Sequence, residues 1–209
     1  MTDPAPTIYV VDDEPEVLTA IGRVLESAGL DVATFTSPEQ FLARYDPATP
    51  GCLVLDLNLP GVSGLELQRM LEQSAVMVPI VFLTGRGDIA ASVQAMKHGA
   101  VDFLTKPVED ATLVAAVSAA LAMDKTSRQA RTERDRIGQR LAALTPRERQ
   151  VLEQIVAGRL NKQIAAGLGI VEKTIKFHRA NLMRKIGVRT VADLVKLAER
   201  AGLGSTSQT

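Results

Sequence analysis

The chain has 209 residues, enough for one large domain or two small ones. Its zero net charge hides a division: residues 1–124 hold six Lys and Arg against seventeen Asp and Glu, a net −11, and residues 125–209 hold eighteen against seven, a net +11. A single Cys excludes a disulfide framework, the absence of Trp argues against base stacking on exposed rings, and no apolar run approaches the roughly 20 residues of a membrane span. No basic–apolar leader is seen, so a soluble intracellular protein is expected, its acidic half followed by a basic half suited to a polyanion.

In the acidic half, apolar runs at 8–11, 52–55, 80–83 and 101–104 have strand length and branched side chains, and 31–35 adds a fifth. Between them the spacing turns helical. Val17, Leu18, Ile21, Val24 and Leu25 make 15–28 a helix with Pro15 in its first turn, and 38–45 forms a short one. Ser63 and Gly64 open another through about Gln73, Asp88 caps one that runs to His98 and closes at Gly99, and the last starts near Glu109. Strand and helix alternate five times, which predicts an α/β fold whose parallel sheet is covered on both faces.

Four of these strands run straight into polar residues: Asp12 and Asp13, Asp56, Thr84, and Lys106 with Pro107. The carboxyl ends of parallel strands share one edge, where open α/β sheets bind ligands. Three carboxylates, a hydroxyl and an amine would meet there, a set suited to a divalent cation and a phosphoryl group. Cys52, inside an apolar strand, belongs to the core.

Beyond this, Leu113, Val114, Val117 and Leu121 give 111–123 a helical stripe that continues without Gly or Pro to Gly138. A long helical linker is expected, weakest at that glycine. In the basic half Thr145, Pro146 and Glu148 are spaced as N-cap, first helical residue and capping-box partner, and Gly158 ends the stripe of Val151, Leu152, Ile155 and Val156. Short helices over 161–168 and 172–185, joined at Gly169, form a helix-turn-helix, and 191–201 closes the chain as an amphipathic helix.

Residues 7–122 resemble the receiver domain of bacterial two-component response regulators, through VVDDE at 10–14, LVLDLNLPGVSG at 53–64, VFLTGRGD at 81–88 and AVDFLTKP at 100–107. Residues 142–203 resemble the LuxR-type helix-turn-helix, through LTPRERQVL at 144–152, AGRLNKQIA at 157–165 and KTIKFHRANLMRKIGV at 173–188. Together they point to the FixJ-like branch. The resemblance implies a flavodoxin-like sheet of order 2-1-3-4-5, a receiver over 1–122, a linker over 123–141 and a DNA-binding domain over 142–209.

For the acidic half it implies Asp56 as phosphoacceptor from a sensor histidine kinase. Mg2+ would be held by Asp13, Asp56 and the backbone carbonyl of Asn58, with Asp12 reached through water. Lys106 would be the counter-charge, aimed by a cis bond to Pro107. Thr84 and Phe103 would be the switch pair, and Val93 and Lys97 would lie on the face that pairs two phosphorylated copies. For the basic half it implies a recognition helix at 172–185 in the major groove of promoter DNA. Lys176, Phe177 and Ala180 would meet base edges, with Thr174 and Asn181 on the same outer side. Lys162, Lys173, Arg179, Arg184 and Lys185 would meet phosphates.

Two positions depart from the family: Leu160 and Val171 stand where it has Ser or Thr as N-caps. Asn161 is expected to take over the first cap, and the second has no substitute. The chain would then be a cytoplasmic transcription regulator, a partner of RNA polymerase and not an enzyme. A phosphohydrolase working through an aspartyl phosphate stays open but leaves the basic half unexplained, and a phosphate sink or interaction module would need no helix-turn-helix.

Overall fold

A computed structural model of the protein describes residues 5–74, 76–85 and 89–201. The expected cap at Asp88 lies outside them. Two compact units divide the chain, Met1–Arg128 and Gln129–Thr209.

The first unit alternates β1 (Thr7–Val11), α1 (Pro15–Ser27), β2 (Asp31–Phe35), α2 (Pro38–Arg44), β3 (Gly51–Asp56), α3 (Gly64–Gln73), β4 (Ile80–Thr84), α4 (Ile89–Lys97) and β5 (Asp102–Thr105), and enters α5 (Asp110–Ala142). The sheet has the expected order, β2-β1-β3-β4-β5, with every pairing parallel. Alternate residues of a strand face opposite ways. Tyr9, Val11, Leu53, Leu55 and Phe82 pack into one core with Phe41 and Leu67. Ile8, Val10, Val54, Val81 and Leu83 pack into the other with Leu25, Leu113 and Val117. Burial on both faces is why these strands read as unbroken apolar runs.

Register aligns the functional edge. Val11 lies opposite Leu55, Asp56 opposite Leu83 and Thr84 opposite Thr105. At the other end, β3 starts at a glycine for a steric reason: a Cβ on Gly51 would fall 2.0 Å from the Thr7 carbonyl oxygen. The Gly51 N–H donates to buried Asp124 Oδ2 at 3.0 Å. Arg128 Nε donates to the same oxygen at 2.8 Å, and its Nη atoms donate to the carbonyls of Ala48 and Thr49 at 3.0 and 2.6 Å. These bonds carry the first unit past residue 122 to Arg128.

The expected linker is helical throughout as part of α5, including Gly138. In the second unit α6 (Pro146–Val156), α7 (Asn161–Leu168), α8 (Glu172–Ile186) and α9 (Val191–Arg200) surround one core. Val151, Leu152, Ile164, Ile175, Leu182 and Leu194 fill it, joined by Ile137 and Leu141 from the end of α5. The expected capping box is present: Glu148 N–H donates to Thr145 Oγ1 at 3.2 Å and Thr145 N–H to Glu148 Oε2 at 2.9 Å. Gly169, with φ of 64°, makes the turn between α7 and α8.

One expectation is corrected. Asn161 does not cap α7: it is the first helical residue, and its Oδ1 accepts from Arg179. The guanidinium competes for the oxygen that a cap would need, and Gln163 Oε1 instead accepts the Leu160 N–H at 2.8 Å. At α8 no side chain caps the first turn, and Val171 stands there 67% exposed. Among the described residues no helix is long and apolar enough to cross a membrane.

Candidate functional site

At the carboxyl edge of the sheet the fold brings Asp12, Asp56, Thr84 and Lys106 together. Asp56 is the last residue of β3 and Thr84 the last of β4, and both are buried, as is Asp12 directly after β1. Lys106 follows β5 and reaches back across the edge. Its Nζ lies 2.5 Å from Asp12 Oδ2, 3.0 Å from Asp56 Oδ1 and 3.6 Å from Glu14 Oε1. The free carboxylate oxygens take backbone donors: Glu14 N–H to Asp12 Oδ1 at 3.0 Å and Asn58 N–H to Asp56 Oδ2 at 2.7 Å. Asn58 Nδ2 also reaches Thr84 Oγ1 at 3.4 Å.

Electrostatics follow from this burial. Desolvation raises the Asp12 carboxyl above its usual range, against the hydrogen bond from Lys106 that lowers it. The Lys106 ammonium is also desolvated, but hydrogen bonds to Asp12 and Asp56 outweigh that cost and leave its pKa raised. Lys106 thus offers one positive charge to three carboxylates, and exposed Asp13 adjoins them. Negative charge is in excess and the donors are all oxygens, which fits a small hard cation.

The chain leaving Asp56 is pressed against the start of α3. A Cβ on Gly64 would lie 2.4 Å from the Asp56 carbonyl oxygen and 3.1 Å from Phe82 Cε1. The Lys106–Pro107 bond is cis. Phe103 is half-buried on β5, its ring centroid 6.1 Å from that of Phe82. Val93 and Lys97 stand exposed on α4 beside Met96. The end of α4 is held from α3 by a residue absent from the expected set: buried Gln68, whose Nε2 donates to the carbonyls of Ala95 and His98 at 3.2 and 3.0 Å. An amide between Leu67 and Leu71 on a buried stripe was its only signal.

On α8, Lys173, Lys176, Phe177, Ala180 and Arg184 are exposed, and Thr174, Arg179 and Asn181 are half-buried. Ile175, Leu182 and Ile186 face the core, and Lys162 is exposed on α7. Several of the basic groups have partners. Lys176 Nζ is 3.4 Å from Glu172 Oε1, and Arg184 donates to Asn181 Oδ1 at 2.8 Å. Lys185 Nζ lies 2.7 Å from buried Glu148 Oε2 and 3.4 Å from the Ala143 carbonyl oxygen.

A sheet edge of buried carboxylates, threonine and lysine in one unit and an exposed basic helix in the other are found together in a known class of protein. The response regulator receiver domain matches residues 8–118, and the luxR family of bacterial regulatory proteins matches residues 142–198. The chain belongs to the response regulators with a receiver and a LuxR-type DNA-binding domain, which regulate transcription. It is 42% identical over 200 residues to the response regulator protein TodT of Pseudomonas putida, covering 96% of this chain and 88% of that protein. It is 41% identical over 196 residues to the transcriptional regulatory protein FixJ of Azorhizobium caulinodans, covering 94% and 93%. Among solved structures, the response regulator StyR superposes with a TM-score of 0.86 at 46% identity, covering 94% of this chain and 100% of that one. Full-length FixJ from B. japonicum gives 0.57 at 38%, covering 97% and 99%.

Proposed function

We propose that the chain is a phosphorylation-switched regulator in which Asp56 accepts a phosphoryl group from a sensor histidine kinase. One observation carries this: a lysine amine within hydrogen-bond reach of two buried carboxylates at the sheet edge, with a buried threonine hydroxyl linked to the same loop through Asn58. An Asp56 carboxylate oxygen bonds to phosphorus as the P–N bond to the kinase imidazole breaks, and the electron pair leaves with the imidazole nitrogen. The product is an acyl phosphate. Bound by Asp13, Asp56 and the carbonyl of Asn58, with Asp12 through water, Mg2+ would supply the charge that lets an anionic group approach an acidic pocket. Lys106 stabilises the transferring oxygens as a point charge.

Afterwards Thr84 donates to a phosphoryl oxygen, and Phe103 turns into the space the hydroxyl leaves. The ~1.5–2 negative charges of the new group drive this. The face of α4 with Val93 and Lys97 then pairs two copies, and two α8 helices enter half-sites one helical turn apart on promoter DNA, where RNA polymerase is the further partner. The chain works in the cytoplasm as a single-turn acceptor and not as an enzyme.

Incubation with acetyl phosphate and Mg2+, followed by gel shift on a duplex selected by the protein, tests this. Expected are label on Asp56, a tighter shift, and an Asp56→Asn variant that dimerises weakly at every donor concentration in the ultracentrifuge. Label without a gain in DNA affinity would sink the switch, and multiple turnover of a small phosphate ester would favour a phosphohydrolase.

A further inference from the structure

The recognition helix is held unevenly. Its first turn has no side-chain cap, whereas its last turn is tied to the end of α5 within the same unit. Arg140, in the last turns of α5, sits between Ile137 and Leu141, both buried in the second core. Its Nη1 donates to the carbonyl oxygen of Ile186, the last residue of α8, at 3.1 Å. A Cβ on the next residue, Gly187, would lie 3.7 Å from that same nitrogen, so the guanidinium lies over the end of the helix.

A contact also runs the other way, from Lys185 Nζ to the carbonyl of Ala143, just after α5 ends. The carbonyls of a helix's last turn have no partner within the helix and carry partial negative charge, so a cation placed there orders and stabilises the end. Arg140 is exposed overall, and by charge alone it would count as one more phosphate contact. Its hydrogen bond assigns it elsewhere.

We propose that Arg140 is a positioning residue for DNA reading: by fastening the end of α8 to α5 it sets the angle at which Lys176, Phe177 and Ala180 are presented, without touching DNA. Ile175, Leu182 and Ile186 pack α8 into the core along one side, and the bond at its last turn trims the direction in which its outer face points. Base contacts need well-aligned hydrogen bonds and so depend on that direction. Phosphate contacts from long lysine and arginine side chains tolerate more. Releasing Arg140 should therefore cost specificity and leave the electrostatic part of binding intact. The inference rests on α8 being the helix that reads DNA.

The test uses the full chain, a duplex selected from a random-sequence library by the wild type, and poly(dI-dC) as non-specific DNA. Arg140→Gln is expected to keep its far-UV circular dichroism at the assay temperature and to lose about tenfold in affinity for the selected duplex, the scale of one good base contact. Its affinity for poly(dI-dC) and its slope of log K against log salt should match the wild type. Arg140→Lys, which can still donate to Ile186, should recover part of the loss. A fall on both DNAs with the salt slope reduced by about one would make Arg140 a phosphate contact and overturn the proposal. Unchanged affinity with only a lower melting temperature would overturn it too, leaving a plain helix cap. A wild type that selects no duplex would remove the DNA reading beneath it, an outcome distinct from either.

Discussion

Lys106 Nζ stands 3.0 Å from Asp56 Oδ1. The amine is the shared counter-charge of Asp12 and Asp56, so its loss leaves the two carboxylates facing each other without one. Lys106→Ala is expected to slow labelling of Asp56 by acetyl phosphate on the order of a hundredfold, the usual scale for removing one fixed donor from a developing anion. Phosphate-affinity gels over a time course measure it. Labelling at the wild-type rate would remove the amine from the transfer step.

The clamp of Asp124 and Arg128 should govern the stability of the first unit. Arg128→Ala leaves a buried carboxylate with the Gly51 amide but no cation, and two carbonyls lose their donors. Because Arg128 is 29% exposed, the loss should be about 2–3 kcal/mol, below that of a fully buried pair. Both tyrosines, Tyr9 and Tyr45, lie in this unit and the chain has no Trp. Urea unfolding followed by tyrosine fluorescence therefore reads it selectively.

Glu148 should make the second unit acid-sensitive. The hydrogen bond from Lys185 holds its carboxyl below the usual range, against a smaller opposing effect of burial, and the Thr145 backbone N–H assists. A group whose folded pKa is depressed contributes stability that is complete above its unfolded pKa, near 4.3, and lost as pH falls through the folded value. Far-UV circular dichroism should show a helical transition that weakens below about pH 4.3. Glu148→Gln should flatten that dependence and cost about 1 kcal/mol at neutral pH, a figure kept small by the partly exposed Lys185.

Cys52 should be chemically silent in the folded chain. It is fully buried in β3, and burial, with the nearby Asp124 charge, pushes the thiol up to about 12. Thiol reagents at pH 8 should label it only when the first unit opens. Arg128→Ala should then raise the labelling rate by one to two orders of magnitude, in step with its loss of stability. Rapid labelling of the wild type would show that β3 is less protected than its packing implies.

Three strand ends were legible because β1, β3 and β4 are buried on both faces, so their apolar runs stop abruptly at Asp12, Asp56 and Thr84. Gln68 was not legible, since a single amide in a helical stripe does not announce which carbonyls lie across from it. In the basic half some of the charge has partners within the fold. Arg147, Arg149 and Arg140 donate to the carbonyls of Leu168, Leu141 and Ile186, and Lys185 pairs with Glu148. Composition counts these charges toward a polyanion, although the fold uses them on its own helix ends. The cap assigned to Asn161 failed for a related reason: an arginine distant in sequence reached that oxygen first.

The boundary between the units also sorts the charge. Met1–Arg128 holds eight Lys and Arg against seventeen Asp and Glu, a net −9, and Gln129–Thr209 holds sixteen against seven, a net +9. Near neutral pH the whole molecule has no net charge to keep copies apart. The acidic unit of one molecule can therefore attract the basic unit of another. In dilute buffer, concentrated protein should turn cloudy and then clear as salt shortens the Debye length to about 10 Å near 0.1 M. The same chain should be retained by both anion and cation exchangers, and a single phosphoryl group should shift its elution from both.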